Sequence, residues 1–192
     1  MPRLFTGLEI PADVARELAM MRGGVHGARW IDVENYHLTL RFIGDIDVAA
    51  AHDVDAALRS IRRRPFEVTL ESLGSFGGAK PRAIVARAKP TAPLIELQAQ
   101  QERLLRRVGI APEARKFTPH VTLARLRQAS NMAVADYLAS RAFIFSKHFT
   151  ASRFVLFSSR DSVGGGPYVV EAAYPLASEP DEAPRWAAAR RA

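Results

Sequence analysis

Two short segments of the chain repeat one pattern, in which a histidine is followed two residues later by a threonine. They read His37-Leu38-Thr39-Leu40 and His120-Val121-Thr122-Leu123. The apolar residues at every second position predict β-strands, in which alternate side chains point to opposite faces of a sheet. Each segment is therefore expected to present an imidazole and a hydroxyl side by side, with two apolar side chains packed behind them in the core.

This pair of segments contains the groups needed to open a cyclic phosphodiester. A base must deprotonate the attacking water, and an acid must protonate the departing ribose oxygen from the opposite side of the phosphorus. Histidine suits both tasks because its reference pKa of about 6.5 allows either protonation state near neutral pH. The threonine hydroxyls can donate hydrogen bonds to the non-bridging phosphate oxygens. The pattern by itself leaves open which histidine is the acid.

The repeat is more informative than either copy alone. A single histidine and threonine on a strand is common, but two copies with the same apolar spacing occur here among only five histidines. The other three, His26, His52 and His148, have no comparable setting. We expect those three to be structural or exposed.

The elements that must position the two motifs follow from apolar periodicity. The expected strands cover residues 3–10, 37–43, 66–73, 82–88, 119–126, 152–159 and 168–176, and the expected helices cover 12–22, 47–64, 94–108 and 131–140. Short alternating strands interspersed with helices favour antiparallel sheets covered on one face, and hence an α+β fold. Asp47 is expected to cap the second helix. We expect one domain over residues 1–177 and a flexible tail over residues 178–192, where Ala, Arg, Pro, Glu and Asp dominate.

Composition narrows the classes of function. The chain of 192 residues has no cysteine, which excludes disulfides, thiolate metal sites and cysteine nucleophiles. Lys and Arg total 27 against 20 for Asp and Glu, a formal net charge of +7 that favours polyanionic partners. No apolar run is long enough for a membrane helix, and the start of the chain lacks the pattern of a signal peptide. We therefore expect a cytoplasmic protein without membrane contact.

The two motifs and their flanking residues resemble the 2H phosphoesterase superfamily, and most of all its LigT-type branch of RNA 2′,3′-cyclic phosphodiesterases, once described as 2′-5′ RNA ligases. The resemblance covers about residues 3 to 176. It rests on RLFTGLEIP at residues 3–11, WIDVENYHLTLRFIG at 30–44, GSFG at 74–77 followed by Pro81-Arg82, and FTPHVTLAR at 117–125. Together these segments are far more specific than either four-residue motif.

The resemblance implies a bilobal α+β fold, with two antiparallel sheets facing each other across a central groove and helices on the outer faces. It implies that His37 is the proton donor to the 3′ oxygen, that His120 is the proton acceptor from water, and that Thr39 and Thr122 hold the phosphate. The implied substrate is RNA with a 2′,3′-cyclic phosphate end, which becomes a 2′-phosphate, and the reverse ligation is also expected to be possible. No metal or cofactor is implied, and a monomer is expected.

Other side chains are further candidates for substrate contact. Arg125, on the second motif strand, is expected to reach a phosphate, or else to be a solvated edge residue. Arg115 lies just before that motif and either binds the RNA backbone or belongs to a basic loop. Phe76 is expected in a glycine-flanked turn, where it can stack on a base. Phe5 and Phe42 could also stack on a base, but as strand aromatics they are expected in the core.

Three alternatives remain open from the sequence. The same chemistry could act on a small cyclic nucleotide or on a cyclic phosphate of ADP-ribose. The chain could instead be a non-catalytic RNA-binding module, although a pure binder needs no matched acid and base. A metallohydrolase is disfavoured because catalytic zinc usually has three protein ligands, and neither motif carries a His-Glu-x-x-His helix or a close carboxylate.

Overall fold

The computed structural model describes residues 3–141, 146–159 and 166–177. Within them the chain forms nine strands and four α-helices. The strands are β1 (Arg3–Glu9), β2 (Ala28–Trp30), β3 (His37–Asp45), β4 (Phe66–Phe76), β5 (Ala83–Ala88), β6 (His120–Leu126), β7 (Lys147–Ala151), β8 (Arg153–Ser159) and β9 (Tyr168–Pro175). The helices are α1 (Ala12–Ala19), α2 (Val48–Arg59), α3 (Ala92–Arg107) and α4 (Asn131–Arg141). The expected tail, residues 178–192, lies outside the described residues.

All strand pairs are antiparallel, which together with the four helices confirms the mixed α and β architecture with antiparallel pairing. The strand order is β7-β4-β5-β6-β3-β1-β8-β9, and β2 pairs with β6 beside this path. We expected two separate sheets, but the hydrogen bonds join the strands into one. The join between β3 and β6 consists of the single pair Leu38–Val121, and each of these strands is bordered on its other side by a longer ladder.

The register at this join places the two motifs against each other. Positions that flank an antiparallel pair lie opposite one another, so His37 comes opposite Thr122 and His120 comes opposite Thr39. The two motifs are thus related by an approximate twofold axis through the pair Leu38–Val121.

Each motif strand contains a β-bulge just after its threonine. Thr6 pairs with Arg41 but Gly7 pairs with Thr39, so that Leu40 is the extra residue in β3. The same shift occurs in β6, where Ile84 pairs with Ala124 but Val85 pairs with Thr122, leaving Leu123 as the extra residue. Two consecutive residues are buried at each bulge. A bulge changes the alternation of side chains, so the next residues, Phe42 and Arg125, return to the face that carries the histidines.

The main core lies on the opposite face of the sheet, under the helices. Leu38, Leu40, Val121 and Leu123, the apolar residues of the two motifs, are all buried there, as predicted. The helices pack on this core through apolar stripes: Val14 and Leu18 of α1, Val54 and Leu58 of α2, Leu94, Leu97 and Leu105 of α3, and Val134 and Tyr137 of α4. Asp47 caps α2 by accepting a hydrogen bond from the Ala50 backbone N–H at 2.8 Å, which confirms that prediction.

Some predicted boundaries are wrong. Helix α2 ends at Arg59, with Ser60 as its C-cap, and does not continue through the predicted residues 62–64. Strand β4 continues to Phe76, beyond the predicted end at residue 73, because Gly74 and Ser75 pair with Val85 and Ile84 of β5. Strands β2 and β7 are absent from the prediction, since β2 has only three residues and β7 borders a single neighbour, β4. No helix within the described residues is long and apolar enough to cross a membrane.

A buried ion pair joins the first motif strand to α3. Arg41, which the bulge directs into the core, is only 4% exposed and pairs with Glu102 of α3. Its guanidinium also donates to the backbone oxygens of Phe42 and Ala111. Next to it, the Thr6 hydroxyl donates to Oε1 of the buried Gln101 at 2.6 Å. These bonds connect β1 and β3 to α3 and to the segment that leads from α3 towards the second motif.

This cluster generates a stability prediction. We expect Arg41→Ala to lower the free energy of unfolding by roughly 3–5 kcal/mol, because it leaves Glu102 without its cation in a largely buried site. The double replacement Arg41→Met with Glu102→Met should lower the free energy of unfolding by much less than the sum of the two single replacements. Urea denaturation of the single and double variants measures this coupling. Additive effects of the two changes would contradict it.

Candidate active site

His37 begins β3 and is held from the preceding turn. Its Nδ1 lies 2.8 Å from the backbone oxygen of Asn35, at the end of a short 3₁₀ turn, Val33–Asn35. A carbonyl oxygen can only accept a hydrogen bond, so Nδ1 carries the proton and Nε2 is the nitrogen left for chemistry. We call the side of the sheet that carries His37 and His120 the histidine face.

His120 is held in the same way at the start of β6. Its Nδ1 lies 2.7 Å from the backbone oxygen of Thr118, two residues earlier. Nε2 is again the nitrogen that remains for proton transfer. Both imidazoles therefore have the same tautomer and the same backbone anchor, as the approximate twofold relation of the motifs requires.

The surroundings of His37 are aromatic. Its ring centroid lies 5.0 Å from that of Phe5, 5.4 Å from Phe157 and 4.9 Å from Tyr168, which meets it edge-on. Phe5 and Phe157 are buried with Val155 in a small apolar cluster separate from the main core. Burial lowers the pKa of His37 to about 4, and the charges of His120 and Arg125 add to this lowering. His37 is therefore neutral at pH 7 in the free protein.

The surroundings of His120 are mixed. The ring of Phe76, at the end of β4, meets the imidazole edge-on with centroids 4.7 Å apart. Arg87 of β5 lies directly across from His120 in the strand register. Burial lowers the pKa of His120, and the positive charges of Arg125 and Arg87 lower it further. The two histidines thus have the same anchor but different neighbours.

The two predicted threonines lie beside the histidines on the same face. Both are half-buried. Neither the Thr39 nor the Thr122 hydroxyl has a hydrogen-bond partner within the described part of the chain. These hydroxyls are therefore available to a ligand placed between the imidazoles.

Arg125 is the predicted cation that the structure brings closest to both histidines. It is exposed, and its charge acts on the pKa of His37 as well as on that of His120. Among residues 3–141, 146–159 and 166–177, no carboxylate forms an ion pair with it. A guanidinium near both imidazoles, without an ion pair in these described ranges, favours the binding of an anion.

Arg115 and Phe42 lie farther from the histidines. The Arg115 guanidinium pairs with Glu113, with Nε at 3.1 Å from Oε1, and its Cζ lies 5.6 Å from the ring centroid of Phe42. Phe42 in turn lies 5.7 Å from Phe5, which contacts His37. The expectation that Phe42 is a core residue is wrong: its side chain is 41% exposed, because the bulge in β3 turns it onto the histidine face.

The remaining sequence expectations have mixed outcomes. Phe5 is buried as expected, although in the small cluster on the histidine face. Phe76 is the last residue of β4 and not part of the turn, which begins at Gly77. His26, His52 and His148 are all exposed. This agrees with the expectation that they are structural or exposed.

Sequence reasoning missed three neighbours of the histidines: Arg87, Phe157 and Tyr168. Arg87 could have been noticed as the one charge within the apolar segment Ala83–Ala88. Phe157 and Tyr168 gave no such signal, since they belong to strands near the end of the chain and reach His37 only through the sheet order.

The arrangement is suited to acid and base catalysis on an anion. Two Nε2 atoms can transfer protons, two free hydroxyls can donate hydrogen bonds, and a guanidinium can neutralise charge. Within the described residues, no three His, Asp or Glu side chains lie close enough together to hold a metal ion.

The duplication of the histidine motif also appears when the chain is compared with known protein families. The family model described as LigT like Phosphoesterase matches the chain twice, over residues 8–86 and 84–168. The first match contains His37 and the second contains His120. The two matches together cover most of the chain.

Relatives of this family are similar over much of the chain. An RNA 2′,3′-cyclic phosphodiesterase of Aquifex aeolicus is 30% identical over 152 residues, which cover 76% of this chain and 81% of that protein. One from Aeropyrum pernix is 38% identical over 104 residues, 53% of this chain, and the match spans 59% of that protein's length.

Solved structures share the fold. A protein of Thermus thermophilus superposes with a TM-score of 0.79 at 22% identity, covering 93% of this chain and all of that one. Escherichia coli LigT complexed with 3′-AMP superposes with a TM-score of 0.72 at 24% identity, covering 92% of this chain and 99% of that one. With the two matches of the family model, these similarities show that the chain belongs to the LigT-like phosphoesterase family.

Proposed function

We propose that this protein hydrolyses the 2′,3′-cyclic phosphate at the end of an RNA to a 2′-phosphate, without a metal ion and within one bilobal domain of residues 1–177. The observation that carries the proposal is the matched pair of imidazoles, each anchored by Nδ1 to a backbone oxygen and each leaving Nε2 free. Arg125, which has no ion pair within the described residues and whose charge acts on both rings, supplies the charge that a phosphate requires. The names of the relatives from Aquifex aeolicus and Aeropyrum pernix support the same substrate.

In the proposed reaction His120 is the base and His37 is the acid. Nε2 of His120 accepts a proton from water, whose oxygen forms the new bond to phosphorus. Nε2 of protonated His37 donates its proton to the 3′ oxygen as the bond between that oxygen and phosphorus breaks. The product carries a 2′-phosphate and a free 3′ hydroxyl, and solvent returns the two histidines to their starting protonation states. In 2′-5′ ligation the 5′ hydroxyl of another RNA takes the place of water: its proton goes to Nε2 of His120, its oxygen bonds to phosphorus, and the 3′ oxygen leaves with the proton of His37. In the reverse cleavage of that 2′-5′ bond the roles of the two histidines exchange.

The different surroundings of the histidines support this assignment of roles. His37 lies among Phe5, Phe157 and Tyr168, and burial makes its protonated form a strong acid, with a pKa of about 4. A strong acid is suited to a poor leaving group such as an alkoxide. The hydrogen bond that anchors His120 is exposed to solvent. His120 is therefore accessible to the attacking water.

The phosphate is held by Thr39, Thr122 and Arg125 in this proposal. The two hydroxyls have no partner within the described chain, so they donate to the non-bridging oxygens without losing another bond. The negative charge of the substrate favours the protonated imidazole, so the proton that His37 needs is taken up with the substrate. Phe76 and Arg115 are proposed to contact the RNA beyond the phosphate.

The first experiment measures hydrolysis of a short RNA ending in a 2′,3′-cyclic phosphate, in the presence of EDTA. We expect conversion to a 2′-phosphate end, and a loss of about 10²–10⁴-fold in kcat for His37→Ala and for His120→Ala, because each removes one proton-transfer group. His52→Ala, at an exposed position on α2, is the control and should retain full activity. Loss of wild-type activity in EDTA would reject the metal-independent mechanism. A protein that hydrolyses small cyclic phosphates but leaves the RNA untouched would make the small molecules the preferred substrates.

The threonines provide a second test. Thr39→Val and Thr122→Val keep the shape of the side chain and remove only the hydroxyl. Each should lower kcat by roughly 10- to 10³-fold, because donors aimed at the transition-state charge are lost. Thr150→Val, at an exposed position in β7, is the matched control. If both valine variants kept the wild-type kcat, the threonines would not be transition-state donors.

Arg125 provides a test through pH. Because its charge lowers the pKa of both histidines, Arg125→Gln should raise both values. The pH profile of kcat/KM reports the pKa values of both histidines in the free protein, and the reaction needs His120 neutral and His37 protonated, so both limbs of the profile should move to higher pH. Its maximum should fall roughly 10- to 100-fold with the loss of a charged hydrogen bond.

Two measurements check this shift. Nuclear magnetic resonance titration of the imidazole Cε1 protons follows the two histidines in the free protein, and pH–rate profiles follow them in catalysis. Arg103→Gln, on the exposed side of α3, is the control that should change neither. Unchanged titrations in Arg125→Gln would mean that Arg125 does not face the histidines.

A further inference from the structure

Arg87 lies in a slot formed by strand β4. Its Nη2 donates to the backbone oxygen of Ser75 at 3.4 Å, and its Cζ lies 5.6 Å from the ring centroid of Phe76. A Cβ atom at Gly74 would overlap Nε of Arg87. The guanidinium therefore occupies space that exists only because residue 74 is glycine, and the slot holds it beside the ring that contacts His120.

The slot places this charge on the outer side of His120. Arg87 of β5 is directly opposite His120 of β6, and neighbouring strands lie about 4.8 Å apart. Its charge acts on the pKa of His120, whereas the charges that act on His37 are those of His120 and Arg125. No carboxylate pairs with Arg87 in the described segments. It is thus an unpaired cation one strand beyond the position proposed for the cyclic phosphate.

The equivalent position beside His37 has the opposite charge. Glu9 of β1 is directly opposite His37, and its carboxylate pairs with Arg153 of β8, with Nε at 2.6 Å. Across the histidine face, the side chain opposite His120 is therefore a cation without an ion pair in the described segments, whereas the one opposite His37 is a carboxylate neutralised by Arg153. A polyanion that extends from the site is attracted towards Arg87 and finds no unpaired cation at Glu9.

We propose that Arg87 binds the phosphodiester that links the terminal nucleotide to its 5′ neighbour, so that the RNA chain leaves the site over β5. This inference rests on the proposed function and adds a direction for the substrate. Arg125 then contacts the reacting phosphate, and Arg87 contacts the next one. An enzyme of this kind prefers oligomers to cyclic mononucleotides, because only an oligomer has the second phosphate.

The test compares two substrates of the same terminal nucleoside. Adenosine 2′,3′-cyclic phosphate has one phosphate, and the dinucleotide ApA ending in a 2′,3′-cyclic phosphate has two. We expect Arg87→Gln to lower the ratio of kcat/KM on the dinucleotide to kcat/KM on the mononucleotide by about tenfold, the effect of losing one charged hydrogen bond. A ratio cancels effects on folding or on His120 that are common to both substrates. Arg103→Gln on α3 is the control that should keep the ratio.

A change in the substrate separates the phosphate from the added base. A methylphosphonate at the internal linkage removes its charge and keeps both bases. The unaltered protein should have a kcat/KM about tenfold lower on this substrate than on the normal dinucleotide. Arg87→Gln, which already lacks the contact to the internal phosphate, should show little difference between the two substrates. An unchanged ratio in Arg87→Gln, or equal methylphosphonate effects in both proteins, would overturn the inference.

A binding measurement distinguishes failure of this inference from failure of the proposed function. Calorimetry with ApA ending in a 2′-phosphate requires no turnover, and Arg87→Gln should bind it about tenfold more weakly. Binding that depends on Arg87 without any hydrolysis by the unaltered protein would reject the proposed reaction and retain the phosphate contact. Hydrolysis of both cyclic substrates with binding independent of Arg87 would reject the contact and retain the reaction.

Discussion

Leu38 and Val121 pair across the centre of the sheet, and the distance between the two histidines depends on that pair. Each imidazole is rigid because its Nδ1 is bonded to the backbone two residues earlier, but those bonds fix each ring only within its own half of the sheet. The antiparallel join brings the two halves together in the register that sets His37 opposite Thr122. The ion pair of Arg41 with Glu102 then ties the first motif strand to α3 and to the segment before the second motif.

The duplication explains the symmetry of the site, and the departures from it support the proposed assignment of acid and base. Both motifs have the same anchor, the same bulge and the same threonine. Around this common frame the neighbours differ: His37 lies among aromatic rings, and His120 lies opposite Arg87 and meets the ring of Phe76 edge-on. Two chemically identical side chains therefore acquire different surroundings and different access to water. Such a difference is what an acid and a base working on one phosphate require.

Much of the fold could be predicted because periodicity and capping are local. The alternation in the two motifs predicted their strands and their buried residues, and Asp47 predicted the start of α2. The short β2 and the edge strand β7 were missed, since their existence depends on partners far away in the chain. Phe42 was expected in the core because it is an aromatic residue of a strand, but a bulge, which depends on how the strand pairs with its neighbour, turns it onto the histidine face.

The sequence alone determined which groups are present for chemistry: two histidines and two threonines on strands, a surplus of positive charge and no cysteine. Only the tertiary structure decided what surrounds each of them. Phe157 and Tyr168 reach His37 from β8 and β9, and Arg125 turns towards both histidines because β6 bulges against β5. The reason is physical: side-chain identity and alternation are properties of a short segment, whereas burial, electrostatic neighbours and pKa arise from segments that meet only after folding.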